Sequence, residues 1–190
     1  EQLKAQVNIE NIDRKPNDLS RFNWIFALIP LFSLTLFVTG VMTLLQIILP
    51  LDLANGGIIR PQLTDQGVAS LVTFKIILIA IFQWPVGHII RNKDSTFKFR
   101  SCLISLLIGF IFLSLSNFLL NGYLLIVIAF IPITIALCIF LPSASDAIIK
   151  FSPIQYRGSA IALYSQCFGI SALTIPWFAG KLIDTYDTAF

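Results

Sequence analysis

Charge is what this chain has least of. It carries 10 acidic and 13 basic residues in 190, a charged fraction of 12% against about 25% in an ordinary soluble domain. Histidine occurs once, at His88, so no cluster of acids and histidines suggests an enzyme's acid–base or metal centre. Cysteine occurs three times, at Cys102, Cys138 and Cys167, always within apolar sequence and never in a C-x-x-C spacing. That suggests neither a disulfide framework nor a zinc site, and reads as small buried apolar side chains. Period-two alternation is missing, which argues against a β-barrel. The net charge of +3 is too small to suggest nucleic acid as a partner. No cofactor and no catalytic constellation is called for.

What is there is apolar: 56% of residues, with a mean hydropathy of +0.84. A soluble globule of this length cannot hide that much apolar surface. Five apolar stretches, 22–49, 67–90, 101–120, 123–143 and 158–180, contain one charged residue between them, Lys75. Each reaches the roughly 20 residues that a helix needs to cross a bilayer. The fold class expected is an all-α polytopic membrane protein. A polar cytoplasmic linker or tail occupies 1–21, and a five-helix transmembrane domain occupies 22–190. The leader admits a short amphipathic helix at 3–9. The chain begins with Glu1 rather than Met and has no cleavable signal, so it reads as a piece of a longer or processed protein.

Basic residues set the orientation, because Lys and Arg accumulate in cytoplasmic loops. The leader, the 91–100 loop and the 144–157 loop carry ten of them, and the opposite loops carry two, Arg60 and Lys181. The N-terminus is therefore expected in the cytoplasm of a cell-membrane protein. The connection at Asn121-Gly122 reads as a tight turn, since Asn-Gly tolerates positive φ. Trp24, Trp84 and Tyr156 on one side, and Tyr123, Trp177 and Tyr186 on the other, read as interfacial belts.

Several residues stand out as carriers of mechanism. Lys75 sits about 12 Å of helical rise inside its span. An intramembrane charge costs at least about 2.5 kcal/mol, so it either lines a cavity and meets an anionic group or snorkels to the headgroups. No carboxylate lies in the five stretches to pair with it. Gln46, Thr43, Gln83, Tyr164, Gln166 and Thr174 are polar groups that need partners in a dry setting. Pro30, Pro85, Pro132 and Pro176, with Gly40 and Gly109, mark points where helices bend. The last stretch places Gly158, Ala162, Ser165, Gly169, Ala172, Pro176 and Ala179 on one face, a seam for close helix packing. His88 reads either as a proton-coupling group or as a headgroup contact.

The stretch Pro153-x3-Arg157-Gly158-x-Ala160, followed by Gly169 and Pro176-x2-Ala179-Gly180, resembles the major facilitator superfamily of secondary transporters. In that family a P-x-x-x-R-G-x-A loop precedes the fifth helix of a six-helix half. The loop between the second and third helices, G-x-x-x-D-R-x-x-R/K, is matched by Gly87 and the basic cluster, but Arg91 holds the aspartate position. The resemblance implies one six-helix half lacking its last helix, which would follow Phe190. The polar leader resembles the linker between halves and points to the C-terminal half.

It further implies transport of a small solute by alternating access, with the other half and the lipid bilayer as partners. Lys75, Gln46, Tyr164 and Gln166 are then the substrate-binding residues expected. Gly87, Arg91, Asp146 and Arg157 form the cytoplasmic gate, with Asp146 left to pair with Arg91, Lys93 or Arg100. The rival readings are a non-transporting five-helix or oligomeric assembly, an integral membrane enzyme, and a channel. The enzyme lacks acids within the spans, and the channel lacks a repeated polar filter.

Overall fold

The computed structural model describes residues 18–56 and 58–186, and every regular element among them is helical. In chain order these are α1 (Asp18–Thr43), a π-helical turn (Leu44–Ile48), α2 (Leu49–Asn55), α3 (Asp65–Ile90), α4 (Ser95–Ser116), α5 (Gly122–Phe151), a 3₁₀ turn (Ile154–Tyr156) and α6 (Arg157–Tyr186). The described residues form five helices long and apolar enough to cross a membrane, with α1, the π turn and α2 joined in one span, Trp24–Asn55. The leader at 1–17, and with it the amphipathic helix at 3–9, lies outside the described residues. Its last residues, 18–21, already belong to α1.

Helix ends differ from the apolar boundaries because hydropathy reports the lipid and the hydrogen-bond ladder obeys caps. Thr64 accepts the Gly67 N–H at 3.3 Å, so α3 starts at Asp65. The first span runs past residue 49 to Asn55 and the fourth runs past 143 to Phe151. Asp52 and Asp146 are therefore helical, and the absence of carboxylates from the apolar stretches does not hold for the helices. The third span starts at Ser95 and stops at Ser116.

The turn at Asn121-Gly122 forms differently from expectation. Asn121 has φ −95°, and the positive-φ glycine among the described residues is Gly56, at 87°. Gly122 is required by space instead, since a Cβ there would lie 2.1 Å from the Ser116 carbonyl oxygen.

The core gathers on α5. Ile126, Ala129, Phe130, Ile133, Ala136 and Phe140 are fully buried along it. α4 lies against α5 so closely that a Cβ at Gly109 would meet Ile133 Cγ1 at 2.3 Å. Gly109 thus serves close approach rather than bending. α3 also packs along α5, and α1 packs along α6 to a similar extent.

The α1–α6 seam uses Ala160, Cys167, Ser171 and Ala179. The Thr39 and Ser171 hydroxyls share a 2.7 Å hydrogen bond, and Ser171 Oγ donates to Leu36 O at 3.1 Å. The small-residue face expected to form a packing seam lies open over most of its length and is covered only at its end, where Pro176 is half-buried and Ala179 buried. Gly158, Ala162, Ser165, Gly169 and Ala172 are exposed, and a Cβ at Gly158 or Gly169 would meet nothing within 4 Å. Small size permits close packing but does not choose which face is packed, and here the hydroxyl-bearing face engages α1.

Candidate functional site

Lys75 sits ten residues into α3 and is buried, 6% exposed. Its Nζ donates to the Leu45 carbonyl at 3.0 Å. The acceptor lies in the π turn of the first span, where Leu49 N–H bonds Leu44 O. Lys75 thus neither snorkels nor lines any of the larger clefts. Gln46 follows the acceptor residue Leu45 in sequence and is on the exposed side of the same π turn.

Sequence reasoning missed the most completely buried charges. Asp52 Oδ2 and Arg60 Nη2 are 2.7 Å apart, each side chain 1% exposed. Arg60 also donates to Asp52 O at 3.3 Å and to Ser116 Oγ at 3.1 Å. The strap that carries Arg60 is tied to the rest by Ile59 N–H to Asn117 O, Leu63 N–H to Leu53 O and Tyr123 Oη to Pro61 O. A signal was present: Arg60 is the one basic residue in an otherwise uncharged stretch between Asp52 and Asp65. A lone charge in such a place invites a search for its partner.

Three of the remaining site residues, Gly87, Arg91 and Gln166, line two clefts at the opposite, basic end. Gly87 and Arg91 line a cleft of about 540 Å³ on α3 with Gln83, Trp84 and His88. Trp84 stacks on His88, ring centroids 6.0 Å apart. Gln166 lines a second cleft of about 460 Å³ between α1 and α6, with Trp24, Tyr156 and Ser159. Trp24 is buried there, stacked on Tyr156 at 5.6 Å with its Nε1 without a partner among the described residues, rather than anchored in headgroups.

Tyr164 turns inward, edge-on to Phe168 at 5.5 Å, and packs against the core. Asp146 and Arg157 are exposed. Among the described residues Asp146 makes no ion pair with Arg91, Lys93 or Arg100, because it sits on an outward face of α5. The four expected substrate residues therefore fall at two levels, Lys75 with Gln46 and Tyr164 with Gln166. The gate residues flank the basic end without forming a charge network.

No cluster of three or more metal-ligating side chains occurs among the described residues. The third and largest of these clefts, about 590 Å³, is an apolar groove on α1 between α4 and α6, bordered by Phe37, Gly40, Phe110 and Phe178. No protein-family model, no curated protein and no solved structure matches the chain.

Proposed function

We propose that this chain is the larger part of one half of a secondary transporter that moves a small solute by alternating access, in the manner of the major facilitator superfamily. The observation that carries the reading is the pairing of spans. Span two lies along span four, and span one along span five, to a similar extent. Exchanging span one with four and two with five turns one pair into the other. Spans one and four run in opposite directions, so the relation is an inverted repeat of the kind that builds such halves. The same operation carries the α4–α5 pair onto α1 and a sixth span, and an apolar groove lies open on α1.

The two helices least covered by the chain itself fit a second helical body. Only 11% of the apolar window of α3 and 17% of that of α6 are buried, against 56% for α5. Their open faces carry Gln83, His88 and Arg91 on α3 and Ser165 and Gln166 on α6. Lipid tails offer such groups no hydrogen bonds, so another protein surface is their natural cover. The other half of the transporter fills that role, with the basic end in the cytoplasm of a cell-membrane protein. Lys75 is the residue proposed to meet an anionic group of the solute, in a state where its Nζ has left the Leu45 carbonyl.

The test is solute transport by the complete polypeptide in proteoliposomes, screened over anionic, zwitterionic and cationic solutes. Saturable flux of at least one class is expected, abolished by Lys75→Met with membrane insertion intact. Absence of flux for every class sinks the proposal, and full flux with Met at 75 removes Lys75 from the pathway.

A further inference from the structure

The first span loses a backbone donor at Pro50, and a different helix supplies the replacement. In the π turn, Leu49 N–H reaches back five residues to Leu44 O. The next donor in that register belongs to residue 50, and proline has no N–H. Leu45 O is the acceptor thereby left over, and it is the carbonyl that Lys75 Nζ reaches at 3.0 Å. Both residues are buried, Leu45 at 1% and Lys75 at 6% exposure. Inside a bilayer no water compensates an orphaned carbonyl, so its donor must come from protein. A proline break is tolerated in a spanning helix when a neighbouring helix re-satisfies the freed group.

We infer that Lys75 is the substitute donor for the break made by Pro50, and that the two residues form a lock between α3 and the π turn. While the ammonium holds Leu45 O, α1 and α2 keep their offset and the second and first spans move as one body. When the ammonium is drawn away, the π turn loses this lateral donor and the segment down to Asn55 is free to open or to shift register. The lock is a conformational device of the fold and stands whether or not the chain belongs to a transporter.

The complete polypeptide in lipid nanodiscs, followed by hydrogen–deuterium exchange and thermal unfolding, tests the lock with four variants: Lys75→Met, Lys75→Arg, Pro50→Ala and the double variant K75M/P50A. Lys75→Met is expected to speed exchange within residues 44–55 and to lower Tm by several degrees, while Lys75→Arg keeps a donor and stays close to the parent. Pro50→Ala supplies an N–H in the register of Leu45 O, so in that background the Lys75→Met effects should shrink to less than half. If Lys75→Met alone yields no folded protein, recovery of folded yield in the double variant supports the lock.

Equal losses in both backgrounds overturn it, as does unchanged exchange over 44–55 in Lys75→Met or failure of the double variant to recover. None of these readouts uses transport, so the lock and the transport reading fail separately. Transport by the double variant distinguishes them further. Flux that returns with K75M/P50A assigns Lys75 to the lock alone, and flux that stays lost while stability returns assigns it also to the solute.

Discussion

Asp52 and Arg60 have traded water for each other at the end of the first span, and that exchange makes each dependent on the other. Breaking a buried pair by removing one partner costs about 3–5 kcal/mol, because an uncompensated charge remains inside. Asp52→Leu and Arg60→Met are each expected to lower the unfolding free energy by that order, whereas the two combined should cost clearly less than the sum of the single losses. Denaturant unfolding in detergent micelles, arranged as a double-mutant cycle, measures the difference. Additive losses would mean that the pair is held by its surroundings and not by mutual attraction. The guanidinium has a second role in this arrangement. It donates to Ser116 as well, so losing it also loosens the strap from the end of α4.

At the scale of elements, the seam between α1 and α6 rests on a few hydroxyls. Thr39, Ser171 and the Leu36 carbonyl are linked across the helices, and hydrogen bonds of this kind in membrane proteins are worth about 0.6 kcal/mol on average and at most about 1.7. Ser171→Ala should therefore destabilise by that modest amount. Gly109→Val should cost considerably more, since its added carbons must enter space already held by Ile133, and overpacking costs typically about 1–3 kcal/mol. The ratio of the two losses, read by thermal unfolding of the purified variants, separates steric fit from hydrogen bonding as the determinant of helix pairing. A Ser171→Ala loss as large as that of Gly109→Val would reverse the ranking.

The same elements mark how far sequence reasoning reaches. The five spans were legible because lipid demands about 20 apolar residues in a row, a one-dimensional signal. The extension of the first span through Asp52 was not, because that carboxylate looks extramembrane until Arg60 is known to fold back on it. Nor was the packed face of α6. Its small residues and its hydroxyls lie on neighbouring faces, and only the position of α1 decides between them. Lys75 was legible as an anomaly, but its partner was not, since a backbone carbonyl has no letter in the sequence.

For the molecule as a whole, the open face of α6 is where the alternatives divide. In the folded chain Ala160 is fully buried against α1, whereas Gly169 has empty space where a side chain would stand. A bulky residue at 160 must therefore disrupt the fold of these five spans, and one at 169 must not. If a second helical body covers α6, Gly169→Trp in the complete polypeptide should leave helix content and membrane insertion intact. It should abolish transport and reduce cysteine cross-linking between Ala162→Cys and the opposing body by at least about tenfold, equivalent to 1.4 kcal/mol. Ala160→Trp should instead lower folded yield itself. Gly169→Trp that transports and cross-links like the parent would place lipid, and not protein, against α6. The polar groups beside it, Ser165 and Gln166, would then need cover from headgroups at the basic end, and the second body would have to be sought on α3 alone.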